Sequence, residues 1–125
     1  MADPPQFDGR RVLVVEDDAM IAMLIEDMLA DLGCTVIGPA HDLAGALAVA
    51  SADETLDVAV LDVNLAGKPV FAVADALREK GVPTIFATGY GDLALRDIDR
   101  GSPVLQKPYN TNDLARALSQ ALDGA

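Results

Sequence analysis

The stretch Val12-Leu13-Val14-Val15-Glu16-Asp17-Asp18 decides how this chain folds, because four apolar residues are followed at once by three acidic ones. A short, continuous and β-branched apolar run is typical of a strand buried on both faces. A second run, Val58-Ala59-Val60-Leu61, is followed by Asp62. If the two strands are neighbours, their terminal carboxylates converge, and they repel one another unless a cation neutralises them. Oxygen ligands of this kind favour Mg²⁺, so the two stretches together predict an acidic magnesium pocket.

The composition is that of one globular domain. The chain has 125 residues, of which 51% are hydrophobic, enough for a core but too few residues for two domains. It has no apolar run long enough for a membrane span, and residues 1–5 are not expected to belong to a signal peptide, because they include neither a basic region nor an apolar stretch. Cys34 is the only cysteine, which excludes a disulfide framework and indicates a cytoplasmic location.

The charge balance excludes some classes of partner. Nine basic residues against twenty acidic ones give a net charge of −11. Such a surface repels nucleic acid and anionic lipid, so neither is expected as a partner. Solubility accounts for most of this excess, but the carboxylates at the two strand ends are placed by the apolar pattern itself.

Strand-like and helix-like segments alternate along the chain. Residues 1–10 are a polar lead-in, and residues 11–123 form one domain without an internal linker. The predicted strands are 11–16, 34–38, 57–61, 83–88 and 103–106, and the predicted helices are 21–32, 43–52, 70–80, 91–99 and 110–122. Five strands alternating with five helices predict a doubly wound α/β fold with a parallel sheet. In such folds the functional residues follow the carboxyl ends of the strands.

Four fragments at those strand ends carry a family resemblance. They are Val14-Val15-Glu16-Asp17-Asp18, Leu61-Asp62-Val63-Asn64, Ala87-Thr88-Gly89 and Lys107-Pro108. Their order and placement resemble the CheY-like receiver domain of two-component response regulators, over essentially the whole chain. The resemblance implies a flavodoxin-like strand order, 2-1-3-4-5.

The resemblance also implies a role for each site residue. Asp62 would accept a phosphoryl group from a sensor histidine kinase or a phosphotransfer protein. Asp17 and Asp62 would ligate Mg²⁺ together with the backbone carbonyl of Asn64, and Glu16 would act through water. Asp18 is expected to lie at the surface or to cap the first helix.

Two further residues would contact the phosphoryl group. By the resemblance, Thr88 would hydrogen bond to one phosphoryl oxygen and Lys107 would pair with another. A cis bond between Lys107 and Pro108 would aim the lysine into the pocket. A carboxylate is a poor nucleophile towards an anionic donor, and a metal ion and an ammonium group offset that repulsion.

The fragment Phe86-Ala87-Thr88-Gly89-Tyr90 narrows the resemblance. It is similar to the FATGUY subgroup of receivers, often single-domain proteins of alphaproteobacteria. That subgroup is associated with kinases of the HWE and HisKA2 types and with general stress signalling.

Two positions depart from the usual receiver pattern. Val104 stands where receivers carry a Tyr or Phe that moves with the threonine, so switching by an aromatic ring is not expected in its usual form. Leu65-Ala66 replaces the usual Met-Pro pair, which predicts a less rigid acceptor loop. With Gly89 after Thr88, the pattern suggests that phosphorylation orders residues 88–99.

Each site residue also has an ordinary interpretation. Asp62 alone could be a turn residue at a strand end, while Glu16 and Asp17 could cap the first helix. Thr88 could be a β-branched strand residue, and Lys107 could be solvated. Their joint occurrence at strand ends favours the functional interpretation.

Several other conspicuous side chains are expected to have structural roles. The single histidine, His41, is predicted to lie at the surface or in a helix cap. Met20, Met23 and Met28 occur at helical spacing and are predicted to fill the core. Tyr90 and Tyr109 could each face a partner or pack partly into the core, and both alternatives stay open.

The function predicted from these observations is that of a single-domain response regulator without an output domain. It would be a monomer or weak dimer that acts through protein contacts on its fourth helix, fifth strand and fifth helix, with only self-catalysed phosphotransfer and dephosphorylation. One alternative is a phosphate sink for a kinase. Another is a phosphohydrolase resembling haloacid dehalogenases, although Asn64 stands where those enzymes need an acid. A third is a binding module that is never phosphorylated.

Overall fold

The computed structural model describes residues 7–89 and 96–123. The strands and helices occur along the chain in this order: β1 Arg11–Val15, α1 Ala19–Asp31, β2 Thr35–Ala40, α2 Leu43–Ser51, β3 Val58–Asp62, β4 Asn64–Leu65, β5 Lys68–Pro69, α3 Phe71–Glu79, β6 Thr84–Thr88, a 3₁₀ turn Asp97–Asp99, β7 Val104–Gln106 and α4 Thr111–Asp123.

The main sheet has five strands in the order β2-β1-β3-β6-β7, and every pair in it is parallel. Numbered by position among these five strands, this is the predicted order 2-1-3-4-5, which is confirmed. β1 and β3 lie side by side with Val15 opposite Leu61. The residues that follow these two strands therefore emerge together at the same edge of the sheet.

Two layers of helices cover the sheet. Side chains alternate between the faces of a strand, so Leu13 and Val15 of β1 pack with α2 and α3. Val12 and Val14 of the same strand pack with α1 and α4 on the opposite face. β3 is buried along its whole length, as expected for the central strand of a sheet covered on both sides.

Side-chain caps begin three of the helices. Asp18 Oδ1 accepts the backbone N–H groups of Met20 and Ile21, and Asp42 Oδ1 accepts that of Gly45. At the last helix, Asn110 and Asp113 exchange two backbone-to-side-chain hydrogen bonds. These contacts satisfy N–H groups that have no partner inside the helix. Of the two roles expected for Asp18, surface residue or helix cap, the cap is confirmed.

The prediction of a fifth helix over residues 91–99 is wrong for the described part of that range. Residues 90–95 lie outside the described residues, and Asp97–Asp99 form a 3₁₀ turn, which leaves four α-helices in the ranges 7–89 and 96–123. Asp99 is fully buried and accepts hydrogen bonds from Arg78 and Arg96. Ion pairs of Asp99 with Arg78 and of Arg96 with Asp75 hold this turn against α3.

The predicted burial of the methionines is also wrong for two of the three. Met20 is 76% exposed and Met23 is 62% exposed, whereas α1 buries Ala22, Ile25 and Leu29. Phe7, within the predicted lead-in, is buried in the core. No helix in residues 7–89 and 96–123 combines the length and the apolar character needed to cross a membrane.

Candidate functional site

The carboxylates that follow β1 and β3 meet in one place. Glu16 and Asp62 are almost fully buried at the carboxyl edge of the sheet, while Asp17 is exposed beside them. One carboxylate oxygen from each of these three residues lies within 4.8 Å of the other two. The structure therefore brings together the three acidic residues that the sequence singled out.

Lys107 supplies the positive charge of this pocket. It follows β7, and its Nζ lies 2.9 Å from Glu16 Oε1 and 3.1 Å from Asp62 Oδ2. Its backbone N–H donates to the carbonyl of Thr88 at 2.7 Å, which ties the ends of β6 and β7 together. The Lys107–Pro108 bond is cis, as expected from the sequence.

Thr88 stands next to the acceptor strand. Asp62 pairs with Ala87 across β3 and β6, so Thr88 is one residue beyond that pair and is partly exposed at the rim. Its backbone carbonyl holds Lys107, as described above. The four strand ends that the sequence predicted to be functional thus converge on a single edge.

Asn64 and Asp17 hold the loop that follows Asp62. The backbone N–H of Asn64 donates to Asp62 Oδ1 at 3.1 Å, and its side-chain oxygen accepts the Gly67 N–H at 2.7 Å. Asp17 Oδ2 accepts the backbone N–H of Ala66 at 3.1 Å. The loop is thereby connected to two of the three clustered carboxylates.

The acceptor loop that contains Leu65-Ala66 has a regular conformation, and its lower rigidity stays a prediction. Residues 64–69 form a small antiparallel hairpin in which Leu65 is buried. Ala66 and Gly67 at its tip have φ of 50° and 90°, the left-handed conformation typical of tight hairpin turns. The hydrogen bond from Ala66 to Asp17 holds this turn without the usual proline.

Three carboxylates and one ammonium group lie close together in the pocket, and the pKa values of Asp17, Asp62 and Lys107 are shifted there. Burial raises the pKa of Asp62 to about 7, and the adjacent Glu16 adds to this rise, although Lys107 opposes it. Burial would lower the pKa of Lys107, but its hydrogen bonds to Glu16 and Asp62 raise it overall. Burial would likewise raise the pKa of Asp17, but its hydrogen bonds to Glu16, Asp62 and the loop lower it. The pocket thus carries more negative charge than Lys107 can neutralise.

A divalent cation suits this pocket. Its donors are carboxylate oxygens from Glu16, Asp17 and Asp62, and hard oxygen donors are those that Mg²⁺ prefers. A cation bound among them would offset the repulsion that raises the pKa of Asp62. The donor set therefore fits the predicted magnesium ion.

Sequence reasoning missed two structural partners of the site. The exposed His41 donates from Nδ1 to the backbone carbonyl of Glu16 at 3.0 Å, so it supports the acidic loop. The position of His41 just past β2, the strand beside β1, could have signalled this contact. Ala66 carried no such signal, because a hydrogen bond made by its backbone leaves no trace in residue type.

A parallel five-stranded sheet with an acidic pocket and a lysine at its carboxyl edge defines the CheY-like class of signalling domains. The sequence profile of the response regulator receiver domain matches residues 12–119. The chain therefore belongs to the response regulator receiver domain family. Members of this family are regulators in two-component signalling that are phosphorylated on an aspartate and bind Mg²⁺ in the acidic pocket.

Named relatives agree with this assignment. The phyllosphere-induced regulator PhyR of Methylorubrum extorquens is 33% identical over 115 residues, which cover 89% of this chain and 43% of PhyR. This chain spans about half the length of the curated relatives it matches.

Solved structures extend the comparison. SdrG from Sphingomonas melonis Fr1 is 42% identical with a TM-score of 0.82, covering 91% of this chain and 97% of SdrG. Its BeF3-activated conformation gives a TM-score of 0.75, covering 90% and 95%. The receiver domain of sensor histidine kinase PA1611 from Pseudomonas aeruginosa PAO1 is 27% identical, with a TM-score of 0.75 over 92% of this chain and 98% of that domain. That structure holds a magnesium ion in its active site cleft.

Proposed function

We propose that this chain is a response regulator that accepts a phosphoryl group on Asp62 from a sensor histidine kinase or a phosphotransfer protein. The observation that carries this proposal is the contact of Lys107 Nζ with both Glu16 and Asp62 inside the acidic cluster. An ammonium group and clustered carboxylates at the end of a buried strand suit the transfer of an anionic group to one of those carboxylates.

The chemistry requires the site to bring two anions together. An Asp62 carboxylate oxygen forms a bond to phosphorus while the phosphorus–nitrogen bond of the phosphohistidine donor breaks, and the leaving imidazole keeps the electron pair. Bound Mg²⁺ would supply charge neutralisation for both partners. Its ligands would be the carboxylates of Asp17 and Asp62 and the backbone carbonyl of Asn64, with Glu16 acting through water.

Lys107 and Thr88 complete the proposed site. The Lys107 ammonium already contacts Asp62 Oδ2 and would transfer part of its pairing to a phosphoryl oxygen. The Thr88 hydroxyl would donate to another. The product is a mixed anhydride with a limited lifetime, which suits a transient signal, and a sink for phosphoryl groups would use the same chemistry with faster turnover.

A phosphohydrolase is less well supported. Enzymes of that type that pass through an aspartyl-phosphate need an acid two residues after the nucleophile, and Asn64 occupies this position. Asn64 has no carboxyl group with which to transfer a proton to a leaving group. The chain is therefore proposed to act as a phosphoacceptor and not as an enzyme acting on small phosphoesters.

We also propose which type of kinase and which type of signal this regulator serves. The fragment at residues 86–90 resembles the FATGUY subgroup, and the similarity to SdrG and PhyR supports it. We therefore assign the receiver to residues 11–123 and propose that it acts as a cytoplasmic regulator, monomeric or weakly dimeric. Its donor would be a kinase of the HWE or HisKA2 type, and its pathway general stress signalling.

Phosphotransfer from a panel of labelled kinases, including HWE and HisKA2 types, tests the proposal. The wild-type chain is expected to take up label in Mg²⁺ and to lose that ability in EDTA. Asp62→Asn should remain unlabelled. Asp18→Asn is the matched control, because Asp18 caps α1 and asparagine caps a helix as well as aspartate. Labelling of Asp62→Asn at the wild-type level would show that Asp62 is not the phosphoryl acceptor.

The same experiment separates a signal from a sink. After the donor is removed, the decay of label on Asp62 gives the lifetime of the acyl phosphate. A signalling regulator is expected to retain label longer than its kinase takes to recharge. Complete loss of label within one charging cycle would favour the sink.

A further inference from the structure

The end of β2 holds Glu16 by its backbone, in addition to the contacts of its side chain. The backbone N–H of Glu16 donates to the carbonyl of Ala40 at 3.0 Å. The backbone carbonyl of Glu16 lies 3.0 Å from Nδ1 of His41. Both backbone polar groups of Glu16 therefore have partners in two consecutive residues, and the peptide group that leads into Asp17 is fixed by the second of them.

The contact with the carbonyl defines where the imidazole of His41 carries its proton. A backbone carbonyl only accepts hydrogen bonds, so Nδ1 must be the donor, and the neutral ring then has no proton on Nε2. His41 is the only histidine in the chain. Its tautomer can therefore be observed without overlap from another imidazole.

The backbone on both sides of His41 is held in place. Ala40 is buried at the end of β2 and pairs with Val15 of β1. Asp42 begins α2, and its side chain accepts the Gly45 N–H at 2.7 Å. His41 itself is exposed, so packing in a core does not explain its orientation. The imidazole is instead carried to the Glu16 carbonyl by a backbone that is fixed before and after it.

The peptide group next to His41 lies between two carboxylates of the acidic pocket. Glu16 Oε1 accepts a hydrogen bond from Lys107, and Glu16 Oε2 accepts the backbone N–H of Asp18 at 3.1 Å. Asp17 Oδ2 accepts the backbone N–H of Ala66 at 3.1 Å. Rotation of the Glu16–Asp17 peptide would change the position of one carboxylate relative to the other. Groups that orient metal ligands without touching the metal commonly raise its affinity.

We propose that His41 is a positioning residue for magnesium: its Nδ1–H group fixes the carbonyl of Glu16 and so holds Glu16 and Asp17 in the arrangement that a bound ion requires. The inference rests on the proposed function, because it concerns the metal site that would serve phosphoryl transfer to Asp62. His41 acts through Glu16 and not on the ion itself. Without the imidazole, the loop would have to be ordered at the moment when the ion binds.

Titration with Mg²⁺ at pH 8, followed by backbone amide NMR, measures this contribution. His41→Ala removes the donor and should bind Mg²⁺ about fivefold more weakly than the wild type, which corresponds to roughly 1 kcal/mol for ordering one residue of backbone. His41→Asn should restore most of the affinity, because its amide nitrogen occupies the same place along the side chain as Nδ1 and is also a donor.

Asp42→Asn is the matched control for a change in the same loop. It keeps the cap of α2, since asparagine caps a helix as well as aspartate, and it leaves the contact between His41 and Glu16 intact. The charge that it removes is exposed and screened by salt. Its Mg²⁺ affinity at physiological ionic strength should therefore equal that of the wild type.

Two further readouts separate positioning from a purely structural role. A long-range ¹H–¹⁵N spectrum of the metal-free wild type should show the neutral imidazole with its proton on Nδ1, which identifies the donor directly. Urea unfolding in EDTA should give His41→Ala nearly the same free energy of unfolding as the wild type, since water can replace the hydrogen bond of an exposed side chain.

The possible results distinguish this inference from the proposed function. Equal Mg²⁺ affinities of His41→Ala and the wild type, failure of His41→Asn to restore the affinity, or a proton on Nε2 would each overturn the inference and leave the proposed function intact. Destabilisation of His41→Ala in EDTA with wild-type Mg²⁺ affinity would overturn it as well, because His41 would then have a structural role only. If the wild type bound Mg²⁺ as expected but took up no label on Asp62, the proposed function would fail and the role of His41 would stand. Absence of Mg²⁺ binding by the wild type would overturn both.

Discussion

Replacing Asp62 with asparagine is expected to stabilise the unphosphorylated, metal-free protein at neutral and alkaline pH. Asp62 is only 4% exposed, and its pKa lies at about 7 instead of 3.8, because of burial and of the neighbouring Glu16. A carboxyl group that binds its proton more tightly in the folded chain opposes folding when it is ionised. Asparagine has nearly the same shape, never ionises, and can still accept a hydrogen bond from Lys107.

The sign and size of the effect follow from linkage. The folded-state pKa of Asp62 is raised, so its contribution to stability is fully present below about pH 4 and is lost as the pH rises to about 7. The shift of about three pKa units corresponds to at most about 4 kcal/mol of unfolding free energy, since each unit is worth about 1.4 kcal/mol. Relaxation and water entry reduce this figure, so we expect Asp62→Asn to exceed the wild type by about 2 kcal/mol at pH 8.

Urea unfolding followed by circular dichroism at pH 5, 6, 7 and 8 in EDTA measures this difference. The advantage of Asp62→Asn should grow with pH and then level off above the pKa of Asp62. Asp18→Asn should follow the wild type at every pH, because it removes a nearby charge without touching the buried pocket. Saturating Mg²⁺ should raise the stability of the wild type more than that of Asp62→Asn. If the two unfolding curves ran parallel from pH 5 to 8, or if Asp62→Asn were the less stable at pH 8, the electrostatic argument would be wrong.

Three further substitutions test other parts of the structure. Lys107→Met leaves Glu16 and Asp62 without their counter-charge, so urea unfolding in EDTA should show an unfolding free energy lower by about 3 kcal/mol. Phosphotransfer should be abolished, and unchanged stability would contradict the pairing. Ala66→Gly relieves the left-handed backbone at φ 50° and should raise the unfolding free energy by about 1 kcal/mol, unless the turn rearranges, in which case stability would fall. Asp99→Ala removes the buried acceptor of two arginines and should lower the unfolding free energy by about 3 kcal/mol. Mg²⁺ affinity should be unchanged, and a parallel loss of it would show that this turn shapes the acidic pocket.

The sheet and the convergence of its strand ends could be predicted because both depend on residue type. Continuous runs such as 12–15 and 58–61 leave no exposed face, which favours central strands of a parallel sheet. Once the strands are parallel, their carboxyl ends must lie at one edge. The positions of Asp62 and Lys107 then follow without further information.

The contacts that depend on backbone atoms or on unpatterned charges could not be predicted. The turn at Ala66 is held by its N–H group, which every residue except proline carries. The pairing of Asp99 with Arg78 joins residues 21 positions apart, and neither belongs to a repeating pattern.

The exposed methionines show a limit of helical periodicity. α1 contains two apolar series at helical spacing, one through Ala22, Ile25 and Leu29 and the other through Met20 and Met23. Periodicity detects both series but does not decide which one faces the sheet. Packing against the strands selects the first.

The three adjacent acidic residues at the end of β1 contact three separate parts of the molecule. Glu16 holds Lys107, Asp17 holds the hairpin turn at Ala66, and Asp18 begins the first helix. An engineer who reordered, lengthened or shortened this tripeptide would keep its acidic character and yet disconnect all three at once. Libraries built on this scaffold should therefore treat residues 16–18 as a fixed unit and introduce diversity elsewhere.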